Sequence, residues 1–448
     1  MKITRLFFVG ALRKCHLHSP PKRKPNKLNI ILRRCTFLSK AFLLFRRVWR
    51  KGIGSTDSFT YLLMLKTCTR TPSVVTGRQI HKLMVNLGYE RIIFLQTSLL
   101  GMYSVTGNIQ DAHQVFEEIP QKNVICWTAL ISAYVENRKP RKALELFRQM
   151  QMENVVPDLV TVTIAISACA DSGALEVGEW IHAFINRSKG FKIDLSLSNA
   201  LIDMYAKCGD IKASRQLFDG LITKDITTWT SMIVGHAIHG QAEEALKLFA
   251  KLEESNPRTI PNGVTFIGVL MACSHAGLVE QGLQHLDRMN KKYGLRPCIS
   301  HYGCIVDLFC RAGLLEEALA FIRQMPIQPS AVIWRTLLAA SSQHVNIELG
   351  LYAQRRLLAL KPSSHVNDNI TVANTYAAAG FWAEKSMTRE QITGQRRIPG
   401  CSLIELDNRI HEFVAADGNH PQRDDIYDIL DGLLKNSTTY FGIYYGSG

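Results

Sequence analysis

The sequence predicts an all-α protein in which helix-turn-helix repeats stack into an α-solenoid. Residues 199–249 contain two successive helical hairpins, each with an apolar helix face, a turn of small residues and a second amphipathic helix that ends in Leu-Phe. A two-helix hairpin of this size cannot bury its own apolar face, so it must stack on a neighbour. Similar hairpins recur along most of the chain.

The turns of these hairpins are marked by glycine and proline. In the first hairpin, Tyr205 lies on the apolar face of the first helix, Gly209 ends that helix and Asp210 caps the next one. Pro157 and Pro261 are predicted to stop the chain after a second helix. Glycines between the two helices of a hairpin are predicted at Gly107, Gly173, Gly209, Gly240, Gly277 and Gly313.

The hairpins follow a regular register from Ser58 onward. Three unit lengths alternate, and the triplet recurs every 101 to 104 residues. Residues 22–57 are predicted to form a degenerate first unit, because 41–57 has the form of a second helix followed by a turn. The predicted units are 58–92, 93–123, 124–158, 159–194, 195–225, 226–262, 263–298 and 299–330.

The positive charge of the chain is concentrated at its beginning. Residues 1–56 contain 15 Lys and Arg and no Asp or Glu, whereas the remainder carries 38 basic and 38 acidic residues. Bulk positive charge supplies most non-specific affinity for nucleic acid, so RNA binding by the neutral remainder must depend on local side-chain contacts. No apolar run approaches the roughly 20 residues that span a bilayer.

Residues 1–21 have the composition of an organelle-targeting presequence. They are basic and free of acidic residues, and Ile3, Leu6, Phe7 and Gly10 fall near one helical face. The low Ser and Thr content favours the mitochondrion, with the chloroplast as the alternative. A basic tail without a targeting role is a further alternative.

The cysteines and histidines do not form a metal-binding pattern. None of the 11 cysteines belongs to a Cys-x-x-Cys motif. Cys68, Cys169 and Cys273 occupy the same position of three equivalent units, so we expect small buried packing residues. His81 and His182 are also equivalent, and we expect a packing role for them. No cofactor or metal is predicted.

Three stretches closely resemble the P, S and L repeats of plant pentatricopeptide repeat proteins. The resemblance covers residues 58 to about 435 and implies a right-handed α-solenoid of the PLS class that binds single-stranded organellar RNA. A tetratricopeptide-like scaffold is the generic alternative, but the alternating unit lengths and the Pro-Asp endings argue against it. The stretches are CWTALISAYVENRKPRKALELFRQMQMENVVPD (126–158), NALIDMYAKCGD (199–210) and SACADSGALEVGEWIHAFI (167–185).

By this resemblance, the fifth and the last residue of each unit together specify one RNA base. A short hydroxyl or amide at the fifth position can hydrogen-bond a base edge, and Asp or Asn at the last position completes the contact. The pairs Thr97 with Asn123, Thr128 with Asp158, Asn199 with Asp225, and Thr230 with Asn262 imply A, G, U and A. Thr163 with Asp194 belongs to an L repeat and implies a weak preference for G.

Several features limit this assignment. The fifth and last residues of three units form no recognisable pair: Leu62 with Ile92, Ile267 with Cys298, and Gly303 with Ser330. Helix capping is the alternative role for a boundary Asp or Asn. Side chains at unit starts, namely Val124, Leu159 and Ile226, would pack against the base planes.

The segment after the repeats resembles the tail of editing proteins. Residues 331–400 resemble E motifs, and 401–435 resemble the E-plus extension, with a predicted hairpin over 403–414 and an amphipathic helix over 421–435. Residues 436–448 form an atypical tail.

A family deaminase domain needs His-x-Glu and a later Cys-x-x-Cys to hold zinc. No cysteine follows Cys401, so the sequence predicts a non-enzymatic protein. His411, Glu412 and His420 are expected to have surface or hairpin roles rather than metal-binding ones.

The sequence therefore predicts a site-recognition factor for C-to-U editing of organellar transcripts. Its expected partners are single-stranded RNA, a deaminase-bearing pentatricopeptide repeat protein and other editing factors. The family register places A about ten, G about nine, U about seven and A about six nucleotides before the edited C. The alternatives are a splicing, stability or translation factor without editing, and a protein-scaffolding solenoid.

Overall fold

The computed structural model describes residues 29, 38–49, 56–188, 193–255, 259–360, 366–390, 401–406 and 409–414. The chain divides into two compact units, Met1–Ala312 and Gly313–Gly448. The helices of the first unit are α1 Leu38–Trp49, α2 Ser58–Arg70, α3 Val74–Asn86, α4 Ile93–Val105, α5 Ile109–Glu117, α6 Val124–Glu136, α7 Pro140–Met152, α8 Leu159–Ser172, α9 Leu175–Arg187, α10 Leu195–Cys208, α11 Ile211–Gly220, α12 Ile226–Ile238, α13 Ala242–Glu254, α14 Gly263–Ala276, α15 Val279–Lys291 and α16 Ile299–Arg311. The helices of the second unit are α17 Leu315–Gln324, α18 Ala331–Gln343, α19 Ile347–Leu360, α20 Val366–Ala378 and α21 Trp382–Glu390.

The helices of the first unit form two layers. From α2 to α16, the even-numbered helices are the first helices of the repeats, and each packs on the next first helix. Each second helix, from α3 to α15, packs on its own first helix and on the first helix that follows. The first helices are apolar on most sides and buried, whereas the second helices bury one face, as amphipathic outer helices do. Helix α1 packs on α2.

The turns follow the predicted glycines but not the predicted prolines. All six glycines have a left-handed backbone, with φ of 101° at Gly209 and 68° at Gly277. By contrast, α7 ends at Met152, and Asn154 takes the left-handed conformation with φ of 57°. Pro157 directly precedes the cap of α8, so the proline lies at the start of a helix instead of stopping the one before it.

The interior of the first unit confirms the packing roles predicted for cysteine and histidine. Cys68, Cys169 and Cys273 are buried, and burial raises the pKa of the Cys68 and Cys273 thiols to about 11. His81 Nδ1 lies 3.0 Å from the Tyr103 hydroxyl, and His182 has the same contact with a tyrosine at 2.9 Å.

Among the described residues, the second unit contains five helices and a hairpin. Helix α17 packs on α18, which packs on α19 and α20, and α20 packs on α21. The strands β1 Cys401–Leu406 and β2 Arg409–Val414 pair antiparallel, with Cys401 opposite Val414 and Leu406 opposite Arg409. The hairpin predicted over 403–414 is confirmed and begins two residues earlier.

Some predicted elements fall outside the residues that the structure describes. These are the presequence at 1–21, most of 22–57, the predicted helix at 421–435 with His420 before it, and the tail at 436–448. Within the described residues, no helix is long and apolar enough to cross a membrane.

Candidate nucleic-acid interface

The predicted fifth-position residues occupy equivalent places on five successive first helices. Each is the fifth residue of its helix, because α4, α6, α8, α10 and α12 begin at the first residue of their units. Their side chains are nearly buried and keep a similar exposure of 7 to 8 %. Since consecutive first helices pack on each other, these side chains form a row along the first-helix layer: Thr97, Thr128, Thr163, Asn199 and Thr230.

The predicted last residues of these units are N-caps of the next first helix. In each case one side-chain oxygen accepts a hydrogen bond from the backbone N–H at the third position of the helix, over 2.8 to 3.1 Å. The capping role is therefore present alongside any role in RNA binding. The residues are Asn123, Asp158, Asp194, Asp225 and Asn262.

Asn199 and Asp225 are joined directly and through a third side chain. The amide of Asn199 donates to Oδ1 of Asp225 at 3.1 Å. The hydroxyl of Thr228 contacts Oδ1 of Asn199 at 2.7 Å and Oδ1 of Asp225 at 2.8 Å. Thr228 is completely buried. The three side chains form a network, termed here the Asn-Asp-Thr network, that holds the amide and the carboxylate side by side.

In two other predicted pairs, the fifth residue is a threonine, and an equivalent buried threonine joins it to the cap residue. The Thr128 and Thr161 hydroxyls are 2.6 Å apart, and Thr161 donates to Oδ1 of Asp158 at 2.6 Å. Likewise, the Thr230 and Thr265 hydroxyls are 2.7 Å apart. Thr265 in turn donates to its cap, Asn262, at 3.2 Å. In these units the fifth residue reaches the cap through one bridging hydroxyl.

The other two predicted pairs are not joined by a hydrogen bond among the described residues. Thr97 and Thr163 donate to backbone carbonyls of their own helices, over 3.1 Å and 2.7 Å. The third position of the following helix holds Cys126 in one case and Leu197 in the other. These side chains lack the hydroxyl that joins the other pairs.

The boundary residues without a predicted pair also cap differently. Ile92 and Ser330 make no side-chain hydrogen bond to their helices. Cys298 donates its backbone N–H to Nδ1 of His301 at 3.0 Å, and Nε2 of His301 lies 2.8 Å from the carbonyl of Gly263. The bridging position is thus occupied by a buried imidazole in this unit.

The bridging threonines were not identified from the sequence. Thr161, Thr228 and Thr265 each follow an Asp or Asn by three residues, which is the spacing of a capping box. The signal Asp/Asn-x-x-Thr was therefore visible. Its second function, the contact to a residue 29 to 35 positions away, depends on how two helices pack.

Lysines adjacent to two caps lie over phenylalanine rings. Lys122 and Lys224 precede Asn123 and Asp225. The ammonium groups lie 5.2 Å and 5.0 Å from the ring centroids of phenylalanines in the preceding second helices. The row is lined by hydroxyl, amide and carboxylate groups, which suit hydrogen bonding to a base edge. The described residues contain no cluster that could hold a metal ion.

Sequence and structure comparisons place the chain in a family. The models of the PPR repeat family and the PPR repeat match residues 122–171, 97–124, 197–226, 227–256 and 293–326. A pentatricopeptide repeat-containing protein of Arabidopsis thaliana is 37% identical over 430 residues, covering 88% of this chain and 80% of the relative. A second, named chloroplastic/mitochondrial, is 36% identical over 426 residues, covering 91% and 67%.

A third Arabidopsis thaliana relative, named chloroplastic, is 36% identical and covers 84% of this chain, which spans 51% of its length. The chain thus spans between about half and four fifths of these relatives. The crystal structure of the pentatricopeptide repeat protein PPR10 in complex with an 18-nt psaJ RNA element has a TM-score of 0.63 at 17% identity, covering 87% of this chain and 59% of PPR10. The predicted helical repeat solenoid is confirmed, and the chain belongs to the pentatricopeptide repeat family.

Proposed function

We propose that this chain recognises a site in single-stranded organellar RNA and directs C-to-U editing there by a deaminase supplied in trans. The observation that carries the proposal is the joining of fifth and last residues in three repeats. Asn199 with Asp225, Thr128 with Asp158, and Thr230 with Asn262 each form one connected polar group on the first-helix layer. Side chains that are fixed relative to each other can present one donor and acceptor pattern to one base.

The Asn-Asp-Thr network has the groups that uracil needs. Among the described residues, one amide hydrogen of Asn199 and Oδ2 of Asp225 take no part in the network. Uracil presents carbonyl acceptors on both sides of an N3–H donor. The amide hydrogen can donate to a carbonyl while the carboxylate accepts from N3–H. Cytosine has no hydrogen on N3, so it would face the carboxylate with a second acceptor.

The relatives support the RNA and the organelle. PPR10 was solved with an 18-nt RNA element, and two of the relatives are named chloroplastic or chloroplastic/mitochondrial. The basic, acid-free composition of residues 1–21, with few Ser and Thr, favours the mitochondrion over the chloroplast.

The editing role rests on the PLS class and on the E and E-plus resemblance. The first helices begin at intervals of alternating length, which suits the P, L and S pattern. Residues 331–400 contain helix pairs, and a hairpin follows at 401–414, in the segment that resembles the E motifs and E-plus extension. In this proposal, that segment recruits a deaminase-bearing pentatricopeptide repeat protein, and the chain itself performs no chemistry on the base.

Selection from a pool of short single-stranded RNAs tests the recognition step. The full chain should enrich A-G-N-U-A, with the central N weakly biased toward G. Tight binding without this pattern would show that the assigned pairs do not determine base preference. A knockout then tests the editing step, since an organellar C about six nucleotides after the last A of the motif should lose editing. Normal editing of every such site, with loss of a transcript or splice product, would favour a role in RNA processing without editing.

A further inference from the structure

A second copy of the Asn-Asp-Thr network lies before the first clear repeat. Asn29 donates its amide to Oδ1 and Oδ2 of Asp57 at 3.0 Å and 3.1 Å. The Thr60 hydroxyl contacts Oδ1 of Asn29 at 2.8 Å and Oδ1 of Asp57 at 2.9 Å. Asp57 also caps α2 by accepting from the backbone N–H of Thr60 at 2.9 Å. The same residue types make these contacts in the network of Asn199, Asp225 and Thr228. The one difference is that the Asn29 amide also reaches Oδ2 of its aspartate, whereas the Asn199 amide contacts Oδ1 alone.

The placement of the two networks is equivalent as well. Asn29 precedes Asp57 by 28 residues and Asn199 precedes Asp225 by 26, and in both networks the threonine follows the aspartate by three. The asparagines are 4 % and 7 % exposed, and both threonines are completely buried. A second helix lies between the members of each pair, namely α1 and α11, and each packs on the first helix that the aspartate caps.

We infer that Asn29 and Asp57 form an additional base-contacting pair, with Thr60 as its positioning residue, and that this pair prefers uracil. The inference rests on the proposed function, because the base preference is carried over from Asn199 and Asp225. The segment 22–57, predicted as degenerate, then contributes to specificity. One unit without a pair, 58–92, separates it from the unit of Thr97. The recognised sequence becomes U-N-A-G-N-U-A, with the new U two nucleotides before the first A.

The charge of Asp57 suits this role. Burial alone would raise the pKa of the carboxyl group, but hydrogen bonds from Asn29 and Thr60 together outweigh burial and lower the pKa. The group is therefore ionised at neutral pH and can accept from the N3–H of uracil. A network that served packing alone would have the same contacts, so the distinction must come from RNA binding.

A double substitution separates the two roles. The variant Asn29→Thr with Asp57→Asn, which keeps Thr60, reproduces the arrangement that the chain already has at Thr230, Asn262 and Thr265. It should therefore fold. Binding of the full chain is measured against four RNAs that contain A-G-N-U-A and differ only in the base two nucleotides before it. Salt is kept high enough to suppress phosphate contacts by the basic residues 1–56.

We expect the unsubstituted chain to prefer U at that nucleotide by about tenfold, and the variant to prefer A there by a similar factor. Both proteins should keep their preference at every A-G-N-U-A nucleotide, which shows that the variant is folded. The matched control, Asn199→Thr with Asp225→Asn, should change only the inner U.

The possible results distinguish the inference from the proposed function. Recognition of A-G-N-U-A by both proteins, with no preference at the upstream nucleotide in either, would overturn the inference and assign Asn29 and Asp57 to packing alone. If the unsubstituted chain shows no base preference at any nucleotide, both the proposed function and the inference are overturned. A change of preference at the upstream nucleotide alone would support both.

Discussion

The bridging hydroxyl of Thr228 offers the most direct test of how this chain positions its proposed base-contacting groups. Replacement by valine keeps the shape of a completely buried side chain and removes only the hydroxyl. That hydroxyl lies 2.7 Å from Oδ1 of Asn199 and 2.8 Å from Oδ1 of Asp225. Asp225 retains the backbone N–H of the capped helix as a donor at 2.8 Å, whereas Asn199 Oδ1 loses its partner.

The expected cost follows from the burial of Asn199. A buried acceptor left without a donor costs about 1–3 kcal/mol, and the Asn199 side chain is only 7 % exposed. We therefore expect Thr228→Val to lower the free energy of unfolding of its region by about this amount. The amide also loses the contact that fixes its orientation, so preference for U at the corresponding nucleotide should fall by about 1 kcal/mol, or roughly fivefold.

Thr67→Val is the matched control. Thr67 is also a buried threonine in a first helix, but its hydroxyl donates to the Leu63 carbonyl of its own helix at 2.7 Å. Removing a bond of this kind has little effect on a helix. Urea unfolding and competition binding with RNAs that differ only at the affected base would measure both effects. Equal stability of the two variants, together with unchanged base preference in Thr228→Val, would refute the positioning role.

Four further predictions test the site and its support. Asn199→Thr with Asp225→Asn should shift preference at one nucleotide from U to A by about tenfold in competition binding, and loss of binding to all RNAs would instead indicate misfolding. Gly235→Ala should destabilise the protein by about 1–3 kcal/mol, because the new Cβ would lie 2.7 Å from an alanine Cβ of α10. Gly303→Ala should stabilise α16 by about 1 kcal/mol, because alanine favours a helix more than glycine does and no atom lies within 4 Å of the new Cβ. Equal urea midpoints for this variant and the unsubstituted chain would contradict the prediction. Burial lowers the pKa of His182, so the folded state favours the neutral side chain. The stability that this side chain contributes is complete above the unfolded pKa of about 6.5 and declines as pH falls toward the folded pKa. The urea midpoint of unfolding should therefore be lower at about pH 5.5 than at about pH 7.5, and this decrease should be smaller in His182→Gln. Equal decreases in the two proteins would contradict the prediction.

The helices and turns could be predicted from the sequence because their causes are local. The apolar period that marks a first helix and the Asp or Asn that caps it lie within a few residues of each other. Gly209 takes the left-handed conformation expected of a helix end. Pro157 was assigned wrongly because Asn154 ends α7 earlier, and a left-handed asparagine has no sequence signal as strong as proline.

The contacts between repeats could not be predicted in the same way. Thr128 meets Thr161, 33 residues away, only because α6 and α8 pack in one register. The Asn29 pair was missed because its surrounding segment is basic and irregular, although the asparagine, the aspartate and the threonine three residues later were all visible. A pair whose members lie on two distant helices can be identified only from the packed structure. The local capping signal identifies only one of the two members.

In the proposed function, capping and base preference share one side chain, and the two roles constrain each other. Asp and Asn are nearly equivalent as N-caps, since either supplies one oxygen to the backbone N–H. They differ in the side-chain group that does not make the capping hydrogen bond. This group is a second carboxylate oxygen in Asp225 and an amide donor in Asn262. Exchange between them can change the pattern offered to a base without loss of the cap, whereas alanine would remove both. Ile92 supplies no such oxygen, so its unit lacks a cap hydrogen bond and a pair for the same reason. Under the proposed function, base preference can therefore vary along the chain only among residues that also cap a helix.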